Sequence, residues 1–352
     1  MPHLVNLISC SIIEKDCNGD VLWTWSYPTV TEAQKLYVAR KWNSCAKQNT
    51  VQSFVGARHA DVWIYIHSSE AFAAGKLPGV KRCALVLFAK DFNPHDYQEL
   101  CRILSSAYCE SGDPTEVLKH YLFAFSEGAC NTRDSKGTTI QQFDAEWRMN
   151  DVHAKRLIRT FELETILIYT ALLLKKRIVV YHHSLEELFG WIETLPTLMK
   201  HRKVTDNLFP WIDLIPDELA EIKTYGHYVA GCRDSTIASK PELFDLLVNI
   251  PAREITVAPH AKESLTMTKA HKEIALFMVQ LCENDDDGKA SIITEIAEKT
   301  QELLNQLKNL ATLESPEGIK MLTVKNIRER DLPPAVENFL INLGVAENLF
   351  VL

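Results

Sequence analysis

Residues 172–196, LLLKKRIVVYHHSLEELFGWIETLP, constrain the fold more strongly than any other part of the chain. The preceding residues 156–174 carry apolar side chains on every side of a helical wheel, which predicts one buried helix. The run IVVY at 178–181 is β-branched and aromatic, as is typical of a strand covered on both faces. Ser184, with Glu187 three residues later, predicts the capping box of a second helix. The segment therefore predicts a helix, a parallel-type strand and another helix in succession.

Three basic residues, Lys175, Lys176 and Arg177, separate the first helix from the strand. Cations suit this position because the carboxyl end of a helix carries a partial negative charge. We interpret the basic step chiefly as a solvated helix stop. Contact with a partner protein is the alternative.

Composition limits the classes of protein that fit this chain. A length of 352 residues predicts about two domains. A formal net charge of -8 provides no basic field for general nucleic-acid binding. The nine cysteines are odd in number and form no CxxC pair, which indicates reduced thiols in a cytosolic protein. The first residues do not resemble a signal peptide, and no apolar run reaches transmembrane length.

The N-terminal third predicts a small antiparallel sheet with helices packed on it. Residues 5–15 and 21–28 are expected to form two strands that flank a turn at 16–20. Thr31 is expected to cap a helix, and Pro94 lies in the first turn of a later one. The polar, glycine-containing residues 131–142 are typical of a boundary between modules.

The middle of the chain, 143–250, alternates strands and helices, which predicts a mostly parallel sheet covered on both sides. Residues 227–232 (HYVAGC) read as a strand, and the region around Phe209 and Pro210 as a loop. The last hundred residues are helical. Within 291–310, apolar residues form a heptad-like seam too short to establish a coiled coil. We favour packing inside the protein and leave docking on a partner's coiled coil open.

The sequence contains none of the common nucleotide-binding, metalloprotease or serine-hydrolase motifs. There is no nucleotide-binding GxxxxGK[ST] or GxGxxG, no HExxH and no GxSxG. His182 and His183 are expected on opposite faces of a strand end, and Asp285 to Asp287 lack the remaining ligands of a calcium loop. We predict no acid–base site, no metal and no cofactor. Whether the chain is an enzyme stays open, because distant residues can assemble a triad.

Several segments, in this order, resemble the DENN-domain proteins. They are IIEKDCNGDVLWTWSYP, LFAKDFNPHDYQELCRIL, ALLLKKRIVVYHHSLEEL, HYVAGCRDS and FDLLVNIPAREITVAP. The resemblance implies a bilobed α/β fold with a longin-like N-lobe and an α/β core that carries a helical C-terminal subdomain. It divides the chain into an upstream module at 1–130, a core module at 143–250 and a downstream helical module at 251–352. It also makes HYVAGC the closing strand of the core.

The same resemblance implies a function that needs no proton-transfer residue. Family members act on Rab GTPases as guanine-nucleotide exchange factors, so the expected partner is a Rab GTPase on late endosomes. A family member is also associated with the Commander recycling complex, which makes its coiled-coil subunits the alternative partners of a non-catalytic subunit. The expected location is the cytoplasm and the surface of late endosomes. Candidate contact residues are Trp25, Tyr27, Lys175, Lys176 and Arg177, although core packing is favoured for Trp25.

Overall fold

A computed structural model describes Leu4 and residues 6–45, 53–71, 76–134, 137–143, 147–283, 291–311, 313–314 and 320–350. The chain divides into two compact units, Met1–Arg148 and Met149–Leu352. We refer to them as the N-terminal unit and the C-terminal unit.

The N-terminal unit contains a five-stranded sheet in which all neighbours are antiparallel, in the order β2-β1-β5-β4-β3. The strands are β1 (Leu7–Asp16), β2 (Val21–Tyr27), β3 (Phe54–His59), β4 (Val62–Glu70) and β5 (Val80–Ala89). The turn between β1 and β2 is held by Asp16, whose Oδ1 accepts hydrogen bonds from the backbone N–H groups of Asn18 and Asp20. The predicted antiparallel sheet is therefore confirmed, and β3 is an additional strand that we did not predict.

The described part of this unit contains three helices: α1 (Glu32–Cys45), α2 (Pro94–Ser111) and α3 (Pro114–Glu127). The predicted cap of α1 is confirmed, since Thr31 Oγ1 accepts from the N–H of Gln34 while Gln34 Oε1 accepts from the N–H of Thr31. Pro94 opens α2 as predicted. The sequence interpretation did not include α3.

The polar residues around 131–142 form more regular structure than expected. They contribute to an antiparallel hairpin of β6 (Ala129–Asp134) and β7 (Gly137–Gln142). The compact units divide after this hairpin, between Arg148 and Met149. The division into three modules stays a prediction.

The C-terminal unit contains a second five-stranded sheet in the order β12-β11-β8-β10-β9. Its strands are β8 (Arg177–Tyr181), β9 (Leu208–Ile212), β10 (Tyr228–Cys232), β11 (Leu246–Asn249) and β12 (Glu254–Val257). Only β12 pairs antiparallel, so the predicted mostly parallel sheet is confirmed.

Two local predictions about this sheet were wrong. The region of Phe209 and Pro210 is the edge strand β9, where a proline is tolerated because one side of the strand needs no ladder hydrogen bond. The HYVAGC strand, β10, lies between β8 and β9 and does not close the sheet. Gly231 permits this close packing, since a Cβ there would clash with the carbonyl oxygen of Pro210.

The single buried helix predicted for 156–174 was also wrong. Two helices, α4 (Asp151–Phe161) and α5 (Thr165–Leu173), flank a 3₁₀ turn at Glu162–Glu164. Glu162 has a left-handed backbone with φ +46, and all three turn residues are exposed. The break keeps two carboxylates in water while α5 is buried on nearly every side, which avoids the cost of burying an unpaired charge.

The remaining elements cover the sheet and form the helical end of the chain. They are α6 (Leu185–Thr194), α7 (Pro216–Ile222), α8 (Lys269–Glu283), α9 (Ile292–Lys308), β13 (Leu313–Glu314), β14 (Lys320–Met321), α10 (Val324–Arg328) and α11 (Pro334–Ala346). Ser184 caps α6 as predicted, its side chain accepting from the N–H of Glu187.

The heptad-like seam of α9 packs inside the C-terminal unit, as we favoured. Ile293, Ile296, Thr300 and Leu307 are buried, and the hydroxyls of Thr300 and Tyr169 on α5 lie 2.8 Å apart. The triplet Asp285 to Asp287 lies outside the described residues.

Candidate functional site

The basic step after α5 has an unusual backbone. Lys175 adopts the left-handed conformation with φ +50. Its N–H donates to the carbonyl of Leu172, and the N–H of Lys176 donates to that of Ala171, at 3.1 and 2.9 Å. This hydrogen-bond pattern ends helices at a position normally occupied by glycine. A side chain in this conformation costs roughly 1–2 kcal/mol, so the lysine is retained here against local backbone preference.

Arg177 holds the start of β8 to the start of β11. Its Nη2 donates to Asp245 Oδ1 at 2.7 Å, and its backbone N–H donates to Oδ2 at 2.8 Å. His260 Nε2 lies 2.9 Å from the same carboxylate. Burial alone would raise the pKa of Asp245, but the hydrogen bonds from Arg177 and His260 bring it below its usual value. Arg177 therefore has a structural role at the sheet edge.

Lys175 and Lys176 contribute to a different feature, a partly open cavity of about 450 Å³ in the C-terminal unit. It lies where the parallel strands β8, β9 and β10 begin, at the amino edge of the sheet. We call it the basic cavity. Its polar lining includes Lys175, Lys176, Arg202, Lys203, Asp206, Asn207 and His227.

Arg202 connects the wall of this cavity to two other elements. Its Nη1 donates to Glu347 Oε1 at 2.7 Å, just beyond the end of α11. Its Nη2 donates to the carbonyl of Leu173 at 2.8 Å and to that of Leu172. These carbonyls belong to the negative end of α5, where a cation is favoured. The guanidinium is therefore already committed to protein acceptors.

The remaining basic side chains of the cavity lie in surroundings that disfavour their charged forms. Burial lowers the pKa of Lys175, and the neighbouring charge of Arg202 lowers it further, while Glu347 opposes both. Burial is also the main reason that the pKa of Lys176 is lowered. The pKa of His227 is lowered by burial, then by Lys175 and Arg202. Positive charge in the cavity is thus incompletely balanced by the protein's own carboxylates.

Sequence reasoning missed Arg202, Lys203 and His227. The sequence signal for them was HRKVTDN at 201–207. This basic segment precedes β9 in the same way as the basic step precedes β8. Because parallel strands begin at the same edge of a sheet, two such segments before neighbouring or near-neighbouring strands approach each other. Because the sequence did not predict strand β9, the approach of these two basic segments could not be inferred from it.

Trp25 and Tyr27 lie on β2 in the N-terminal unit. Trp25 is half-buried opposite Ile12 on β1, which agrees with core packing. Tyr27 is exposed, and its ring meets that of Tyr121 edge-on at 6.3 Å between centroids. Whether either residue binds a partner stays a prediction.

Tyr27 adjoins a helix with an unusual apolar surface. On α3, Leu122, Phe123 and Phe125 are exposed by 42%, 39% and 38%. We call Tyr27 together with these three residues the α3 face. Several large exposed apolar side chains on one helix are typical of an interaction surface.

No metal site emerges from the residues that the structure describes: no group of three His, Cys, Asp or Glu side chains is arranged to hold an ion. The prediction that His182 and His183 point to opposite faces was wrong, since their rings stack 4.4 Å apart. Both follow the last residue of β8, so strand alternation no longer applies to them. Among the described helices, none has both the length and the apolarity of a bilayer-spanning segment.

Comparisons with known proteins cover nearly the whole chain. Residues 152–259, from α4 to just beyond β12, match a family model described as SPA, stabilization of polarity axis. DENN domain-containing protein 10 of Danio rerio is 36% identical over 97% of both chains. The protein of that name from Homo sapiens is 34% identical over 97% of this chain and 96% of its own, and that from Dictyostelium discoideum is 30% identical over 97% of both. The chain belongs to the DENN domain-containing protein 10 family.

Proposed function

We propose that this chain regulates a Rab-type GTPase on late endosomes, as a guanine-nucleotide exchange factor. Membership of a DENN-domain family supports the class of partner, because DENN-domain proteins act on Rab GTPases. The relatives match this chain over almost their full length, so the proposal concerns the whole chain and not one module.

The α3 face is the observation that carries the proposal. Three large apolar side chains of α3 remain exposed, and the ring of Tyr27 contacts Tyr121 of the same helix. Aromatic residues are enriched in protein interfaces, where a few of them supply most of the binding energy. A GTPase presents a folded surface that such a face can bind.

Exchange requires no proton-transfer group in this protein. An exchange factor binds the nucleotide-free GTPase more tightly than the loaded form. Accelerating release about a thousandfold requires roughly 4 kcal/mol of differential stabilisation. An interface of about 800 Å² per partner is of the size found in specific complexes.

The test is release of a fluorescent GDP analogue from a panel of purified Rab GTPases. We expect the full-length chain at micromolar concentration to accelerate release from at least one of them by about tenfold or more. No acceleration across the panel would exclude exchange activity.

A variant pair tests the surface. Leu122→Ser with Phe125→Ser removes two apolar contacts of the α3 face and is expected to reduce the acceleration about tenfold or more. Leu276→Ser is the matched control, since Leu276 is an exposed apolar residue of α8 in the C-terminal unit. Equal effects of the two changes would contradict a specific role of the α3 face.

A second candidate is a non-catalytic subunit that docks on the coiled-coil subunits of the Commander complex. One observation favours it: Leu118, Leu122 and Phe125 on α3 are spaced by four and then three residues, as in a helix-packing seam. Such a seam pairs with the apolar positions of another helix.

Co-elution distinguishes this candidate from the first. A stoichiometric complex with purified coiled-coil subunits, lost in Leu122→Glu and retained in Leu276→Glu, would support the docking role. Failure of the unmodified chain to co-elute would exclude it, whatever the outcome of the GDP-release assay.

A further inference from the structure

We propose that the basic cavity of the C-terminal unit binds a small phosphorylated ligand, a polyol that carries one or more phosphomonoester groups. This inference is independent of GTPase regulation and of the α3 face. It rests on the size of the cavity, its charge, the backbone at Lys175 and the donors that its walls present.

The cavity has the size of a ligand site. Its volume of about 450 Å³ falls within the range of roughly 300–1,000 Å³ usual for pockets that bind small molecules. It is partly open, so a ligand can enter without unfolding of the unit. The rigid amino ends of three sheet strands form one side of it.

The charge of the cavity selects for an anion. Four cationic side chains line it, Lys175, Lys176, Arg202 and Lys203, and Asp206 is its lining carboxylate. Glu347, which pairs with Arg202, supplies one more negative charge. Two of the four positive charges are balanced in this way. A phosphomonoester carries about −1.5 to −2 charges near neutral pH and would balance the other two.

Lys175 is positioned at the cavity at the expense of local backbone preference. Its left-handed φ of +50 occurs where glycine is the usual residue, and glycine would end α5 equally well. Among the described residues, its ammonium group makes no hydrogen bond or ion pair. Helix termination therefore explains the left-handed backbone at position 175, but it does not explain why the residue there is a lysine.

The type of donor favours phosphate over carboxylate. Guanidinium groups match planar carboxylates through paired hydrogen bonds, and the one guanidinium here is already engaged by Glu347 and two helix carbonyls. The other charged donors are lysine ammonium groups, of which that of Lys176 also donates to Asn342 Oδ1 at 3.3 Å. An ammonium group is a point charge that can approach a tetrahedral dianion from several directions. Burial and repulsion by Arg202 lower the pKa of Lys175, and the negative charge of a bound dianion would offset both effects.

Two sources share this chemistry: a free inositol or sugar phosphate, and the headgroup of a phosphoinositide lipid. The first measurement is isothermal titration of the full-length chain with inositol trisphosphate, with unphosphorylated inositol as the matched ligand. We expect saturable binding of the phosphate ester only. Raising the salt concentration from about 0.05 M to about 0.3 M should weaken it severalfold through screening.

Lys175→Gly is the decisive variant because it removes the ammonium group while relaxing the backbone. We expect at least about tenfold weaker binding, the loss of one charge-assisted contact, with a melting temperature that does not fall. Lys203→Ala should weaken binding similarly. Lys269→Ala, which removes an exposed lysine of α8 in the same unit, is the matched control and should leave binding unchanged.

Vesicle co-sedimentation distinguishes the two sources. Binding to vesicles that contain phosphatidylinositol bisphosphate, lost in Lys175→Gly, would assign the lipid headgroup. Titration of the soluble ester without vesicle binding would assign the free ligand. The proposal is overturned if neither probe binds, if Lys175→Gly and Lys203→Ala bind as tightly as the unmodified chain, or if phosphatidylserine vesicles of matched charge bind equally well.

Discussion

Two sets of partly buried polar contacts, one in each unit, differ in their chemistry. In the N-terminal unit, phenol hydroxyls donate to carboxylates: Tyr97 to Asp91 and Tyr108 to Glu14, both at 2.5 Å. Burial is the main reason that the pKa values of both tyrosines are raised, and the partner carboxylates raise them further. These donors stay neutral throughout the physiological pH range.

The C-terminal unit contains clusters of cationic and anionic side chains. Arg177, Asp245 and His260 form one cluster, and Arg202 with Glu347 forms the centre of another. The phenol donors carry no charge in this pH range, whereas clusters of cationic and anionic side chains respond to both salt and pH. Sensitivity to salt and the ability to attract an anion should therefore belong chiefly to the C-terminal unit.

Breaking the first charged cluster should have the largest effect. Arg177→Met leaves the Asp245 carboxylate, whose side chain is 13% exposed, without its main partner. We expect a loss of about 3 kcal/mol in the free energy of unfolding, at the low end for a broken buried pair because the site is partly solvated. Denaturant titration, combined with hydrogen exchange of β8 and β11, measures it. The double variant Arg177→Met with Asp245→Leu should recover part of this loss. If Arg177→Met alone left the free energy of unfolding unchanged, Arg177 would have no structural role at the sheet edge.

Acid should destabilise the C-terminal unit through His271. This buried imidazole completes the cap of α8, its Nδ1 accepting from the N–H of Thr268 at 3.0 Å, and burial lowers its pKa to about 4. In the unfolded chain this histidine binds a proton with the ordinary pKa of 6.5. Its contribution to the free energy of unfolding is therefore fully present above pH 6.5 and is lost as the pH drops toward 4. The loss should reach about 2–3 kcal/mol.

His271→Gln tests this contribution, since glutamine can complete the same capping box without titrating. Free energies of unfolding measured between pH 7 and pH 4 should decline less steeply in the variant. An unchanged slope would contradict the assignment.

Glu193 on α6 should act in the opposite direction. Burial raises its pKa to about 8, from an ordinary value of 4.5. The folded state therefore retains a proton that the unfolded state releases, and stability declines as the pH rises from 4.5 to 8. Glu193→Gln should raise the free energy of unfolding at pH 8 by about 1–2 kcal/mol, discounted because the residue is half-buried. Glu186→Gln, an exposed change on the same helix, should have no such effect.

The phenol–carboxylate hydrogen bonds of the N-terminal unit should be less costly to break. Tyr97→Phe removes one hydrogen bond to Asp91 while retaining the ring, so we expect a loss of about 1–1.5 kcal/mol. The loss should be the same at pH 6 and pH 8, as followed by hydrogen exchange of α2. A loss equal to that of Arg177→Met would remove the contrast between the units.

The smallest expected effect is a gain in the free energy of unfolding. Lys175→Gly should leave the free energy of unfolding unchanged or raise it by up to about 1 kcal/mol, because glycine adopts the left-handed conformation without strain. Lys175→Ala retains the Cβ and should not produce this gain. Lower stability of the glycine variant in thermal unfolding would show that the ammonium group stabilises the fold and is not reserved for a ligand.

Much of the fold could be predicted because it follows local rules. The helix cap at Thr31, the turn at Asp16 and the strand at 178–181 depend on neighbouring residues, which the sequence displays directly. The break at Glu162 and the strand through Pro210 could not be predicted in this way. The first depends on which side of each helix meets the core, and the second on Pro210 lying at a sheet edge.

The candidate sites divide in the same manner. The sequence alone identified the basic step, its place after a helix and before a buried strand, and the family to which the chain belongs. Only the tertiary structure separated Arg177, which pairs with Asp245, from Lys175 and Lys176, which line the cavity with Arg202 and Lys203. The physical reason is that capping and periodicity act over a few residues, whereas a cavity arises where strands distant in sequence begin side by side.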